Sequence, residues 1–261
     1  MKGLAKRVSS HWTAIAVILG ALLLWQFGSA EGFLPESAFP SMTGTLRTLV
    51  DLFGESQFWH SFGQTLISWV VGVAIAIALA IPLGLLLGRL PFLHVSSRLL
   101  IDFMRTIPSV AVIPLITLLF GATMEMKLIL VVYGAFWPLL IQTIYGVHDA
   151  DKVLMDTARS YRVSGWRRAV YVLFPSTLPY IVTGLRIAIV VGLLLGVSSE
   201  ILGSAPGVGL DMAIAQNGGA LELTYAYVAF IGLLGVAVNL ALNSATKRIL
   251  WWHTSVRGDN A

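Results

Sequence analysis

The stretch LISWVVGVAIAIALAIPLGLLLG, Leu66–Gly88, decides the fold. It carries no charged side chain and exceeds the roughly 20 apolar residues that a helix needs to cross hydrocarbon. Comparable runs lie on both sides of it, at Trp12–Ala30, Leu99–Phe120, Leu128–Val147, Leu178–Ile201 and Tyr225–Ala245. Over all 261 residues, 57% are hydrophobic and 11% charged, against roughly 25% charged in soluble domains. So little charge cannot wrap a water-facing surface, and the apolar excess must face lipid. The expectation is an all-α, polytopic membrane protein of about six transmembrane helices, forming one membrane domain over residues 1–261.

Charge placement sets the topology. Lys2, Lys6, Arg7, Arg89, Arg98, Lys152, Arg159, Arg162, Arg167, Arg168, Lys247, Arg248 and Arg257 fall on one side of the six runs, and only Arg47 and Lys127 on the other. Positive loops resist translocation, so both termini are expected in the cytoplasm of a multi-pass inner-membrane protein. No A-x-A cleavage site directly follows the first run, which is expected to stay as an anchor. The net charge of +4 reflects this clustering between apolar runs, which is membrane topology rather than nucleic-acid binding.

Cysteine is absent, which removes disulfides, thiolate metal sites and thiol nucleophiles. His11, His60, His94, His148 and His253 are scattered, with no H-E-x-x-H pair, so neither a metal site nor a membrane-embedded enzyme is expected. Residues 31–63 should lie outside, with Leu46, Leu49, Val50 and Phe53 on one face of a surface helix over Thr45–Phe53, and Phe58, Trp59 and Phe62 as interface anchors. Pro82, Pro108, Pro114 and Pro138 each remove a backbone donor inside an apolar run, loosening a turn.

The longest cytoplasmic segment, 148–175, reads HDADKVLMDTARSYRVSGWRRAVYVLFP. Asp149 or Asp151 can cap a helix with Val153, Leu154, Ala158 and Tyr161 on its apolar side. Ser164 and Gly165 supply a turn, and a second short helix should run from Trp166 and end before Pro175. By composition alone this is a solvated loop obeying the positive-inside rule. The order of its residues resembles the signature of binding-protein-dependent ABC permeases: Asp156, Thr157 and Ala158 stand at the acidic-small-small positions, and Val172, Phe174 and Pro175 at the closing hydrophobics and proline. Asp156 replaces the usual Glu, and Arg162 stands where the family has Gly, with Gly165 three residues later as another place for the bend. Arg105-Thr106-Ile107-Pro108 with Ala111 and Pro114, then Pro179-Tyr180-Ile181, Gly184-Leu185-Arg186 and the Glu200–Gly209 stretch are similar to permeases for taurine, alkanesulfonates, nitrate and bicarbonate.

The resemblance implies a type I ABC importer permease architecture, working as a homodimer by alternating access. Two ATP-binding subunits would receive the coupling loop, and a solute-binding protein would deliver cargo. The loop residues Asp156, Thr157, Ala158, Arg159, Arg162, Gly165, Arg167, Arg168 and Pro175 would couple the chain to the ATPase. ATP and Mg belong to that partner, because the chain has no G-x-x-x-x-G-K-[ST] loop, and no cofactor is expected here. The rival reading is an ion-coupled secondary transporter or channel, which leaves the order of residues in the loop unexplained.

Charged residues at membrane depth default to functional hypotheses. Asp102 and Arg105, three apart, can pair on one helix face. Arg186 should face a subunit contact or wet cavity, and Glu200 sits at a glycine-rich turn that either merely closes the surface or gates the pathway. Pathway candidates are Arg105, Pro108, Thr117, Trp137, Gln142, Arg186, Ser198, Ser199 and Glu200. Ser, Thr, backbone amides and Arg suit an anionic solute without choosing among a sulfonate, nitrate and bicarbonate.

Overall fold

The computed structural model describes residues 2–33, 35 and 38–252, and side chains except those of residues 2–12, 14, 15 and 18. Arg257 and His253 lie outside the described residues, as do the side chains of Lys2, Lys6, Arg7 and His11. The described residues form helices and no strand: α1 Lys2–Ala30, α2 Met42–Leu52, α3 Ser56–Arg89, α4 Pro91–Thr106, α5 Ile113–Phe120, α6 Met124–His148, α7 Lys152–Ser160, α8 Gly165–Arg168, α9 Phe174–Gly203, α10 Val208–Asn217 and α11 Leu221–Ile249. Four segments are long and apolar enough to cross a membrane: Ser56–Arg89, Met124–His148, Gly165–Asn217 and Leu221–Ile249. The pair Pro91–Thr106 and Ser109–Phe120, bent by 83°, makes a fifth, and α1 contributes a shorter apolar stretch, Leu19–Ala30. Leu79, Leu86, Val236 and Leu240 are exposed along these helices, as lipid-facing residues are.

The chain divides into two compact units, Met1–Trp59 with Asp211–Leu233, and His60–Leu210 with Leu234–Ala261. In the first, Ser41 caps α2 by accepting the Gly44 amide at 3.0 Å, so the helix starts three residues before the position its apolar pattern suggests. Leu49 is buried, while Leu46 and Val50 are exposed. Phe58 is not an interface anchor: it is fully buried, edge-on to Phe53, Trp59 and Phe230 at ring-centroid distances of 5.5, 5.3 and 4.9 Å.

In the second unit, α6 is the central element. Val131, Ala135, Leu139, Leu140 and Ile144 pack with Val73, Ala76, Ala80 and Leu87 of α3 and Ala188 of α9. Lipid tails are as apolar as these side chains, so close backbone approach supplies much of the adhesion between such helices, and small residues permit it. A Cβ on Gly84 would lie 2.6 Å from Thr143 Cβ and 3.1 Å from the Leu140 carbonyl. Gly84→Val therefore forces α3 and α6 apart at a cost of about 1–3 kcal/mol. Denaturant titration of the purified chain should register that loss, and an unchanged midpoint would contradict the packing.

The prolines separate by consequence. Pro82 and Pro138 sit inside continuous helices, each at the cost of one backbone hydrogen bond. Pro114 falls in the first turn of α5, where its missing donor is harmless. Only Pro108 breaks the path: Ile107 before it is extended (φ −69°, ψ 118°), Pro108 has ψ 117°, and a 3-10 turn, Ser109–Val112, follows. A residue before proline is pushed out of the helical region, and two successive extended residues re-aim the chain. The run Leu99–Phe120, expected as one span loosened by its prolines, is thus a pair of helices bent by 83°.

Candidate functional site

The 149–175 segment begins as its sequence suggests. Asp151 Oδ1 accepts the Val153 and Leu154 amides at 2.7 and 3.4 Å, satisfying donors that a helix start leaves open. Asp149 instead accepts a hydrogen bond from the Tyr180 hydroxyl of α9. Helix α7 closes at Arg162: the Val163 amide donates to Ala158 O at 3.0 Å and the Arg162 amide to Arg159 O at 2.9 Å, the paired bonds of a Schellman ending. Arg162 takes the left-handed conformation, φ 52°. The bend therefore stays at position 162, where the family has Gly, and does not move to Gly165. A non-glycine residue there costs about 1–2 kcal/mol, partly offset because glycine loses more chain entropy on folding, about 0.5–1 kcal/mol. Arg162→Gly should stabilise the loop by up to about 1 kcal/mol, read as slower amide exchange in α7; faster exchange would contradict it.

Pro175 does not end the second helix. A π turn, Ala169–Leu173, joins α8 to α9, and Pro175 falls in the first turn of α9, where the lack of an N–H is tolerated. On α7 only Ala158 is buried; Val153, Leu154, Tyr161 and Trp166 are exposed, Tyr161 to 80% and Trp166 to 78%. Asp156 and Arg159 pair at 3.0 Å on the solvent side. Thr157, Gly165 and Arg167 are exposed, and Arg168 Nε is buried with no partner among the described residues. The segment thus presents aromatic and aliphatic side chains among guanidinium groups, the composition of an interface core more than of a solvated loop.

The intramembrane candidates scatter. Arg105 Nε pairs with Asp102 Oδ1 at 3.2 Å, with Arg98 3.8 Å from the other oxygen. Arg105 and Trp137 line one small cavity beside the Pro108 break. Gln142 lines a different one with Asp149, Tyr180 and Thr183. Arg186 is exposed and donates to Asn239 Oδ1 of α11 at 3.1 Å. Thr117 and Ser199 donate to carbonyls of their own helices, Ile113 O at 2.8 Å and Gly196 O at 2.6 Å, and Ser198 is half-buried.

Glu200 is at the centre of a group that includes Lys127, which by sequence is only one of two positive charges on the sparse side. Both are 0% exposed, with Lys127 Nζ 2.7 Å from Glu200 Oε1. Nζ also donates to Pro206 O at 2.6 Å and Gln64 O at 3.2 Å, which uses all three ammonium donors. Thr65 Oγ1 donates to Glu200 Oε1 at 2.8 Å and accepts the Val208 amide at 3.0 Å, and the Gly209 amide donates to Glu200 Oε2 at 2.8 Å. A Cβ on Gly209 would fall 2.8 Å from both Glu200 Cβ and Val197 O, so only glycine lets the turn approach. This network ties the 204–209 turn to α3, α6 and α9. The signal is present in the sequence: Lys127 at the start of one span and Glu200 at the end of the next lie at the same membrane level.

Among proteins of known sequence, residues 80–250 match the model of the binding-protein-dependent transport system inner membrane component family. The chain is 27% identical over 241 residues to a putative aliphatic sulfonates transport permease of Bacillus subtilis, covering 91% of this chain and 86% of that one. It is 31% identical over 233 residues to a bicarbonate transport system permease of Synechococcus elongatus, covering 84% of each. Among solved structures, a chain of an inward-facing methionine ABC transporter superposes with a TM-score of 0.63 at 16% identity, over 74% of this chain and 95% of that chain.

Proposed function

Because the chain belongs to the family of binding-protein-dependent transport system inner membrane components, we propose that it is the permease subunit of an ATP-driven importer that brings a small anion into the cytoplasm. The observation that carries the reading is the uncovered surface of α7 and α8, where Leu154, Tyr161 and Trp166 stand exposed beside Arg159, Arg162 and Arg167. Two ATP-binding subunits cover it, one on each copy of a homodimer, and a binding protein loads cargo from the far side. Asp156, Thr157, Ala158, Gly165, Arg168 and Pro175 hold the loop's shape and contacts; the positive-inside distribution puts the loop and both termini in the cytoplasm.

Nucleotide-driven closure then moves the loop as a rigid element. The π turn makes α8 continuous with α9, so this motion passes into a helix whose far end carries Glu200. The cargo path follows Arg105, Pro108, Trp137 and Gln142, with Thr117, Arg186, Ser198, Ser199 and Glu200 as supporting positions. Sulfonates and bicarbonate, named for the two relatives, are the first solutes to try. In vesicles containing the chain, an ATP-binding subunit and a binding protein, uptake should require ATP. Uptake by the chain alone down an ion gradient would replace the importer with an ion-coupled transporter.

A further inference from the structure

We propose that Arg105, Ser109 and Trp137 form a subsite for a small oxyanion at the break between α4 and α5, an inference that rests on the importer reading and places the cargo's charged end. The break leaves a cavity of about 150 Å³ lined by Arg105, Ser109 and Trp137 together with Gly134 and Val191. At about 30 Å³ per molecule of liquid water, it holds an anion the size of methanesulfonate or nitrate.

Each of its three polar side chains carries a donor. Trp137 Nε1, which can only donate, is buried with no partner among the described residues. Buried indole N–H groups ordinarily find an acceptor, so an orphan beside a cavity marks a place where an acceptor is missing. Arg105 engages Asp102 through Nε, which leaves its two terminal nitrogens without a partner among the described residues and fixes the plane they lie in. The Ser109 hydroxyl sits at the first residue past Pro108, and nothing described bonds it.

Arg105 and Ile141 also line a second cavity of about 330 Å³, shared with His94, Arg98 and Asp102 and reaching Tyr145 near the loop end of α6. Donors therefore continue beyond the first cavity, and the one carboxylate in the pair of cavities, Asp102, is already held by two guanidinium groups. In the smaller cavity the Ser109 hydroxyl is the one side-chain oxygen that can accept, and it carries no charge to hold a cation beside the Arg105 guanidinium. An oxyanion meets a guanidinium, an indole N–H and a hydroxyl, and planar guanidinium groups match its oxygens two at a time.

Trp137→Phe is the decisive substitution because it removes the indole N–H, with the smaller ring that carries it, and keeps an aromatic side chain in place. The orphan N–H has no acceptor to lose, so the ligand-free melting temperature should fall by no more than the few degrees that the lost ring packing costs. Methanesulfonate and nitrate, titrated calorimetrically into the chain purified in neutral detergent and chloride-free buffer, should bind saturably. Trp137→Phe and Arg105→Gln should each weaken binding by about tenfold or more, the effect of losing a hydrogen bond to a charged group. No saturable binding to the unaltered chain, or affinity that Trp137→Phe leaves unchanged, would overturn the proposal. Retention of an ATP-binding subunit by the Trp137→Phe chain reports on the importer reading separately, so the two can fail independently.

Discussion

Lys127→Met lowers the stability of the purified chain by about 3–5 kcal/mol, the largest effect expected of any single substitution. The pair it breaks is 0% exposed on both sides, so Glu200 is left as an uncompensated carboxylate without water to take the place of the ammonium. The Pro206 and Gln64 carbonyls lose their donor as well. Glu200→Gln should cost less, because an amide still accepts from Lys127 and Thr65, but it leaves the lysine charge unpaired. Exchanging the two charges should not rescue either change: the lysine end faces two backbone carbonyls and the glutamate end a backbone amide, and those polarities do not reverse. Thermal unfolding in detergent measures all three. A loss within about 1 kcal/mol for Lys127→Met, the scale of a solvent-exposed pair, would show that water reaches the network.

Trp166→Asp should weaken association with an ATP-binding subunit by roughly tenfold to a hundredfold, the range of a central aromatic anchor. Its indole is 78% exposed in the chain alone and contributes little to the fold, so melting of the isolated chain should hardly move. Loss of the partner with an unchanged melting temperature separates docking from folding. Equal retention by the substituted chain would mean that α8 faces solvent in the assembly.

Which features were legible in the sequence follows from the range of the interactions behind them. The apolar runs, the Asp151 cap and the break at Pro108 depend on neighbours within a few residues, and the sequence carries them directly. The end of α7 at Arg162 was legible only in part, because the Schellman bonds that hold a non-glycine residue left-handed involve Ala158 and Val163 together. Helix α8 fails to stop before Pro175 because a π turn shifts the hydrogen-bond register, which no local propensity reports. Phe58, with the look of a membrane anchor, is drawn into an aromatic cluster by Phe230, far along the chain.

The same distinction runs through the candidate site. Arg105 and Trp137 share a cavity only because α4 breaks beside α6, while Thr117 and Ser199, chosen for their hydroxyls, spend them on their own helices. Lys127 drew attention only as a topology charge. Its partner is 73 residues away, and only the requirement that buried ions be paired links the two from sequence.

The chain contains no cysteine, so single cysteines introduced at Thr157 on α7, which follows the His148 end of α6, and at Glu125 at the start of α6 report on the two ends of a 25-residue helix about 37 Å long. Both are exposed. In membranes carrying the chain with its ATP-binding subunit, a short thiol-to-amine crosslinker should join lysines of the subunit to the Thr157→Cys chain and leave the Glu125→Cys chain uncoupled. Crosslinking at Glu125→Cys, or at neither position while the proteins co-purify, would contradict docking through the α7–α8 loop.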